Sequence, residues 1–165
     1  MLLDGATATQ MIAAGMPADA CPEAWILEHP DLLVSLQKEY IAAGADAVLA
    51  PTFGANRTRL GRFGLSDRVR EMNLRLVELS RRAAGDSDVL IAGDLSPTGL
   101  SLAPYGESDL DEVLSVYREQ CASLKEAGVD FLFCETMMNL ADARAAVLAA
   151  RETGLPVMVT FTVAF

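Results

Sequence analysis

Basic residues are scarce in this chain: 13 lysines and arginines stand against 23 aspartates and glutamates, for a formal net charge of −10. That balance opposes binding to nucleic acid or to an anionic membrane surface, and solubility is sufficient reason for it. Cysteine is scarce too. Cys21, Cys121 and Cys134 are odd in number and show no C-x-x-C spacing, which argues against a disulfide framework and against a self-contained zinc site. Asp46 and Asp130 interrupt the longest apolar stretches, well short of the roughly 20 residues that a membrane helix needs. The opening Met1-Leu2-Leu3-Asp4 lacks the basic start and apolar run of a signal peptide. The expectation is a cytoplasmic protein with reduced thiols. Missing as well is a G-x-G-x-x-G turn: Asp4-Gly5-Ala6-Thr7-Ala8-Thr9 stands where a dinucleotide-binding fold would place it.

What is present is a repeat. The 165 residues, 52% hydrophobic with mean hydropathy +0.27, suit one domain with a sizeable core. Four times a helical stretch runs through a glycine, Gly44, Gly85, Gly128 or Gly154, into a short apolar run. Glycine there supplies the left-handed residue that ends a helix. The runs Ala47 to Pro51, Val89 to Ala92, Phe131 to Cys134 and Val157 to Phe161 are continuous rather than alternating, as parallel strands covered on both faces should be. Leu2 to Asp4 reads as a first strand, giving five.

Between the runs, apolar residues step by three or four: Leu33, Leu36, Tyr40, Ala43; Val69, Met72, Leu76, Leu79, Ala83; Leu110, Leu114, Tyr117, Cys121, Leu124; Leu140, Ala143, Val147, Ala150. Pro30 suits a first helical turn, Ser108 with Asp111 resembles a capping box, and Asn139 can cap the helix after it. Repeated βα units at this spacing fit a doubly wound sheet or a (β/α)₈ barrel, and periodicity does not separate the two.

Either fold places its ligand at the C-terminal ends of the strands. Those ends are polar here: Asp4, Thr52, Asp94 with Ser96, and Glu135 with Thr136. Carboxylates converging from different strands suit a ligand ammonium group, or a general acid and base. The competing reading has them capping loops or pairing with Arg57 and Arg59. Other chemistry-bearing residues read as structural. His29 precedes Pro30 at a helix start and Cys121 lies on a core stripe. Cys134 would face the helices if its neighbour Glu135 faces inward, because adjacent residues on a strand point oppositely. Trp25 and Tyr105 fall in expected loops after the first and third strands, as rim or pocket-covering aromatics.

The strand-end segments Leu3-Asp4-Gly5-Ala6, Pro51-Thr52-Phe53-Gly54-Ala55-Asn56-Arg57, Ala92-Gly93-Asp94-Leu95-Ser96-Pro97-Thr98-Gly99 and Cys134-Glu135-Thr136 together resemble the homocysteine S-methyltransferase family. The resemblance spans nearly the whole chain, and is strongest to the homocysteine-binding N-terminal module of the cobalamin-dependent methionine synthase type. It implies a partial (β/α)₈ barrel, residues 1–165 forming a single truncated domain of about five parallel strands with crossover helices. It implies a methyl transfer to the homocysteine thiolate that makes methionine, with methyl-cobalamin, betaine or S-methylmethionine as donor. Asp4 and Glu135 would hold the ammonium of homocysteine, with Gly5, Thr52 and Phe53 around the same pocket and Asp94, Ser96 and Thr136 as further pocket candidates.

Two positions depart from the family pattern: Ala8 and Ser96 stand where glycine is usual. The family's zinc is held by three cysteines after the sixth strand and in the eighth, and none of Cys21, Cys121 and Cys134 falls there. No metal ligand and no catalytic residue therefore carries over. The expectation is a chain that is inactive alone, with open barrel edges and with Phe161, Val163 and Phe165 in water. Alternatives are a non-catalytic binding or assembly subunit completed by a partner chain or by self-association, and an aldolase-like or pterin-binding barrel using Asp94 or Glu135 as base.

Overall fold

The computed structural model describes residues 1–103 and 106–163; Tyr105 and Phe165 lie outside them. The chain runs α1 (Ala8–Ala13), α2 (Pro22–Glu28), α3 (Pro30–Ala42), β1 (Ala47–Leu49), α4 (Arg57–Gly61), a 3₁₀ turn (Ser66–Arg68), α5 (Val69–Ala84), β2 (Leu90–Leu95), α6 (Leu110–Ala127), β3 (Phe131–Met137), α7 (Leu140–Glu152) and β4 (Val157–Phe161). All neighbouring strands pair in parallel, in the order β1-β2-β3-β4. Spatial order therefore follows chain order with no reversal. A doubly wound sheet reverses at its switch point, so this is the winding of a partial (β/α)₈ barrel.

The first of the five expected strands shrinks to a single parallel bridge between Leu3 and Ala47. Backbone bonds from Asp46 N–H to the Leu2 carbonyl (2.8 Å) and from Asp4 N–H to the Ala47 carbonyl (3.0 Å) hold it beside β1. Its position is that of a strand, but the pairing goes no further than this bridge.

Helix formation follows the apolar spacing. The α5 stripe Val69, Met72, Leu76, Leu79 and Ala83 is buried, and α6 buries Leu114, Tyr117, Cys121 and Leu124. On α7 the buried face turns toward Ala143, Ala146 and Ala150, and Leu140 is left 77% exposed. Pro30 opens α3 at its first turn, and Asn139 caps α7 by accepting the Asp142 N–H at 2.8 Å. The start of α6 differs from the capping-box reading. Asp109, not Ser108, is the cap, accepting the Glu112 N–H at 2.8 Å, while Ser108 is drawn into a bridge with Leu102. Trp25 lies within α2 rather than in a loop, where it stacks on His29 with ring centroids 4.0 Å apart.

Alternation along the strands divides the core into two faces. Val48, Ile91, Leu95, Leu132 and Cys134 pack with α6 and α7 residues such as Tyr117, Leu124 and Ala146. On the opposite face Ala47, Ala92, Phe131 and Phe133 form a smaller cluster with Leu3 and Leu49. A second helix-side cluster joins α1, α2, α3 and α5. At the β4 margin Phe161 is 47% and Val163 66% exposed.

The reassigned cap is testable: Asp109→Ala should lower the unfolding free energy by about 1 kcal/mol. Ser108→Ala should cost clearly less in the same urea titration.

Candidate functional site

The smaller, inward face of the sheet opens at its C-terminal end into a cavity of about 570 Å³. Four acids line it, Asp4, Glu23, Asp94 and Glu135, with apolar walls that include Leu3, Ile26, Leu49, Phe53 and Phe133. No lysine, arginine or histidine is among the lining residues.

Strand register puts the acids together. Asp94 on β2 pairs with Phe133 on β3, and Glu135, two residues on, shares the inward face of Phe133. Leu95 and Cys134 between them turn to the helices, as the alternation argument requires. Immediately after Glu135 the ladder slips: Cys134 pairs with Val159 but Met137 pairs with Phe161. One extra β3 residue is a bulge, and Thr136 at its centre takes a left-handed φ of 57°. The bulge lets Met137 return to the helix-side core while Glu135 keeps the cavity face. Thr136 itself is exposed, does not line the cavity, and donates its N–H to Thr160 Oγ1 at 3.0 Å.

The first segment is held with similar economy. One Asp4 oxygen accepts the Leu49 N–H at 3.2 Å, and the other has no partner. A Cβ on Gly5 would lie 2.8 Å from the Tyr40 ring, so a larger residue there would displace that ring, whose hydroxyl donates to the Ala6 carbonyl at 3.0 Å. Ala8 lines the cavity at the start of α1.

Thr52 and Ser96 support the site from behind. The Thr52 hydroxyl donates to the Asp94 carbonyl (2.9 Å) and accepts the Asp94 N–H (3.0 Å), and the Gln120 amide donates to the Thr52 carbonyl at 2.7 Å. Ser96 is fully buried; its hydroxyl donates to Pro97 O and its carbonyl accepts from the Tyr117 hydroxyl at 3.2 Å. Neither Thr52 nor Ser96 is a lining residue.

Glu23 escaped the sequence reading. It is 6% exposed and accepts the Gly54 N–H at 2.7 Å, fixing the loop that carries Phe53. A Cβ on Gly54 would fall 2.5 Å from the Glu23 carboxylate. Its signal in the sequence is slight: Pro22-Glu23 looks only like the first turn of a helix, with proline and an acid in their usual places. Arg57 and Arg59 do not pair with the cavity acids. Arg57 bonds Glu119 and Asp67; Arg59 donates to Pro97 O at 3.0 Å and lies 5.3 Å from the Phe53 ring centroid.

Crowding acids away from water and from cations favours their neutral forms. Burial pushes Asp4 up to about 7, aided by the charge of Glu135 and opposed by the Leu49 N–H. Asp94 is pushed well above the usual carboxylate range by burial, then by Glu135 and Asp4. Burial also raises Glu135. A cationic ligand would reverse this crowding. Donors for a metal are another matter: among the described residues no three of His, Cys, Asp and Glu are placed to hold an ion. Cys121 and Cys134 lie in one core cluster and Cys21 in another, and burial raises all three thiols. No helix among the described residues is long and apolar enough to cross a membrane.

Comparison with known proteins gives a family model described as homocysteine S-methyltransferase, matched over residues 1–164. Methionine synthase of Mycobacterium tuberculosis is 32% identical over 163 residues, 92% of this chain and 14% of its own length. Betaine–homocysteine S-methyltransferase 1 of Sus scrofa is 30% identical over 146 residues, 86% of this chain and 51% of its own. The structure of the homocysteine methyltransferase MmuM from Escherichia coli in its metallated form superposes with a TM-score of 0.85 at 25% identity, covering 99% of this chain and 63% of that one. The oxidised form gives the same TM-score at 26% identity.

The site predicts a pH dependence of stability. Asp4 binds its proton more tightly in the folded chain, about 7 against the ordinary 3.8. The folded state therefore holds more protons between these values, and stability falls as pH rises through that window. Asp4→Asn should flatten part of the fall from pH 5 to 7.5 in denaturant unfolding; an unchanged slope would contradict the assignment.

Proposed function

The chain belongs to the homocysteine S-methyltransferase family, and from that premise we propose that its cavity receives homocysteine with the ammonium group innermost, between Asp4 and Glu135. The observation that carries this reading is a pocket lined by acids from several strand ends with no basic side chain among them. A zwitterion entering it gains most by burying its positive end, because an ammonium beside two carboxylates makes charge-assisted hydrogen bonds. Backbone around Gly5 and the ring of Phe53 complete the wall. Thr52 acts one step back, by holding the Asp94 backbone.

In this reading the overall reaction moves a methyl group from a donor to the homocysteine sulfur, making methionine. Anchoring the amino-acid end leaves the sulfur as the free end of the ligand, and fixing it there supplies the orientation part of catalysis. Zinc, which the family resemblance implies, would supply thiolate chemistry at neutral pH by lowering the pKa of a coordinated thiol. The described residues do not fit that metal, since no three His, Cys, Asp or Glu side chains among them are placed to hold an ion and Cys21 lies in a different core cluster from Cys121 and Cys134. Its ligands are assigned to polypeptide other than these residues, in the same protein or in a partner chain, and the choice of methyl donor goes with them. The chain covers 14% to 63% of the length of the proteins compared, and in this reading it contributes binding of the amino-acid end while catalysis belongs to a larger assembly.

Titration calorimetry with L-homocysteine tests the reading. Asp4→Asn and Glu135→Gln should each weaken binding by about tenfold or more, and N-acetyl-homocysteine, which lacks the ammonium, should bind no better than those variants. Equal affinity for the acetylated compound would overturn the orientation.

A further inference from the structure

The cavity contains a carboxyl group that neither the fold nor the ammonium anchors above account for. Of the four acids, Glu23 has the Gly54 N–H and one Asp4 oxygen has the Leu49 N–H. Asp94 is only 5% exposed, and its Oδ1 is buried without a partner, as is the Oδ1 of Asp4. No ion pair among the described residues involves Asp94. Its main chain is held without help from the side chain, by the Thr52 hydroxyl on both N–H and carbonyl.

A buried carboxyl with an unpaired oxygen destabilises a fold in either protonation state. Two residues earlier on the same face stands Ala92, which shows what that face accepts when only packing is required. A costly polar group turned into a cavity is where a ligand contact is to be sought.

We propose that Asp94 is a specificity-determining contact for the ligand nitrogen, accepting an N–H alongside Asp4 and Glu135 and so restricting the pocket to primary ammonium groups over quaternary ones. The inference rests on the amino-acid reading of the cavity. A primary ammonium presents three N–H donors; a trimethylated one presents none and leaves the free oxygens of Asp4 and Asp94 unpaired. Quaternary cations are instead held by aromatic faces. Only Phe53 and Phe133 among the lining residues are aromatic, and the Phe53 ring already carries the Arg59 guanidinium.

The test compares L-homocysteine with its N-trimethyl derivative by calorimetry, on the wild-type chain and on Asp94→Ala and the isosteric Asp94→Asn, with thermal unfolding of each. The wild type should prefer the primary amine by at least about tenfold, and both variants should shrink that ratio severalfold while melting at the same temperature or higher. An unchanged ratio in the folded variants, or a lower melting temperature with the ratio intact, would assign Asp94 to structure and overturn the proposal. A wild-type chain that binds neither compound would remove the amino-acid reading and this inference with it. Binding of homocysteine with a ratio indifferent to position 94 removes this inference alone.

Discussion

A parallel strand can turn only every second side chain to the same face, and that constraint decides what this molecule has to offer a ligand. On β3 it sends Cys134 to the helices and Glu135 to the cavity; on β2 it sends Leu95 outward and Asp94 inward. Parallel pairing in register then sets Asp94 opposite Phe133, one pleat from Glu135. The two acids are brought together by backbone geometry alone, without any attraction between them. Their mutual repulsion and loss of water are imposed by the sheet, whose helix-side core of Leu95, Leu132, Tyr117 and Leu124 is fully buried and strong enough to hold them.

The same constraint explains why the strand ends needed support. At the end of β1 the chain must leave the sheet, and its buried polar groups need partners. Thr52 meets Asp94, Gln120 meets Thr52, and Asn73 meets the Ala55 carbonyl at 2.8 Å. At the end of β3 the answer is a bulge, at the expense of a threonine in left-handed geometry, a conformation that usually persists only where surrounding structure imposes it. On its helix side Tyr117 bonds both the Ser96 carbonyl and Asp142. The helices thus reach through to the loops that frame the cavity.

Much of this was legible in the sequence because long elements repeat their signal. Helices α3, α5, α6 and α7 each show several turns of apolar spacing, and the runs in β1 to β4 are bounded by glycine. The short elements carry no such redundancy. α1, α2 and α4 span 6, 7 and 5 residues, too few to show a period, so the sequence around Trp25 reads as a loop. At the start of α6 the sequence offers two adjacent good caps, Ser108 and Asp109, and the bridge of Ser108 to Leu102 decides for Asp109. In the site, Asp4, Asp94 and Glu135 were visible as acids at strand ends. Glu23 was not, because its importance comes from the Gly54 N–H, 31 residues along the chain, a contact no local pattern records.

Helix α2 therefore contributes to the site in a way the strands could not. The strands supply acids that face one another, while Glu23 comes from the side with its charge already engaged by backbone. Its effect is positional: it draws the Phe53 loop inward and closes the apolar wall against which Ile26 and Phe133 also lie. A low-dielectric wall strengthens every charge inside it, so the same closure that makes the empty pocket costly for Asp4, Asp94 and Glu135 makes a cation in it correspondingly favourable. The acids are destabilising in isolation and electrostatically complementary to a cation, and the proposed site would draw its selectivity from that difference.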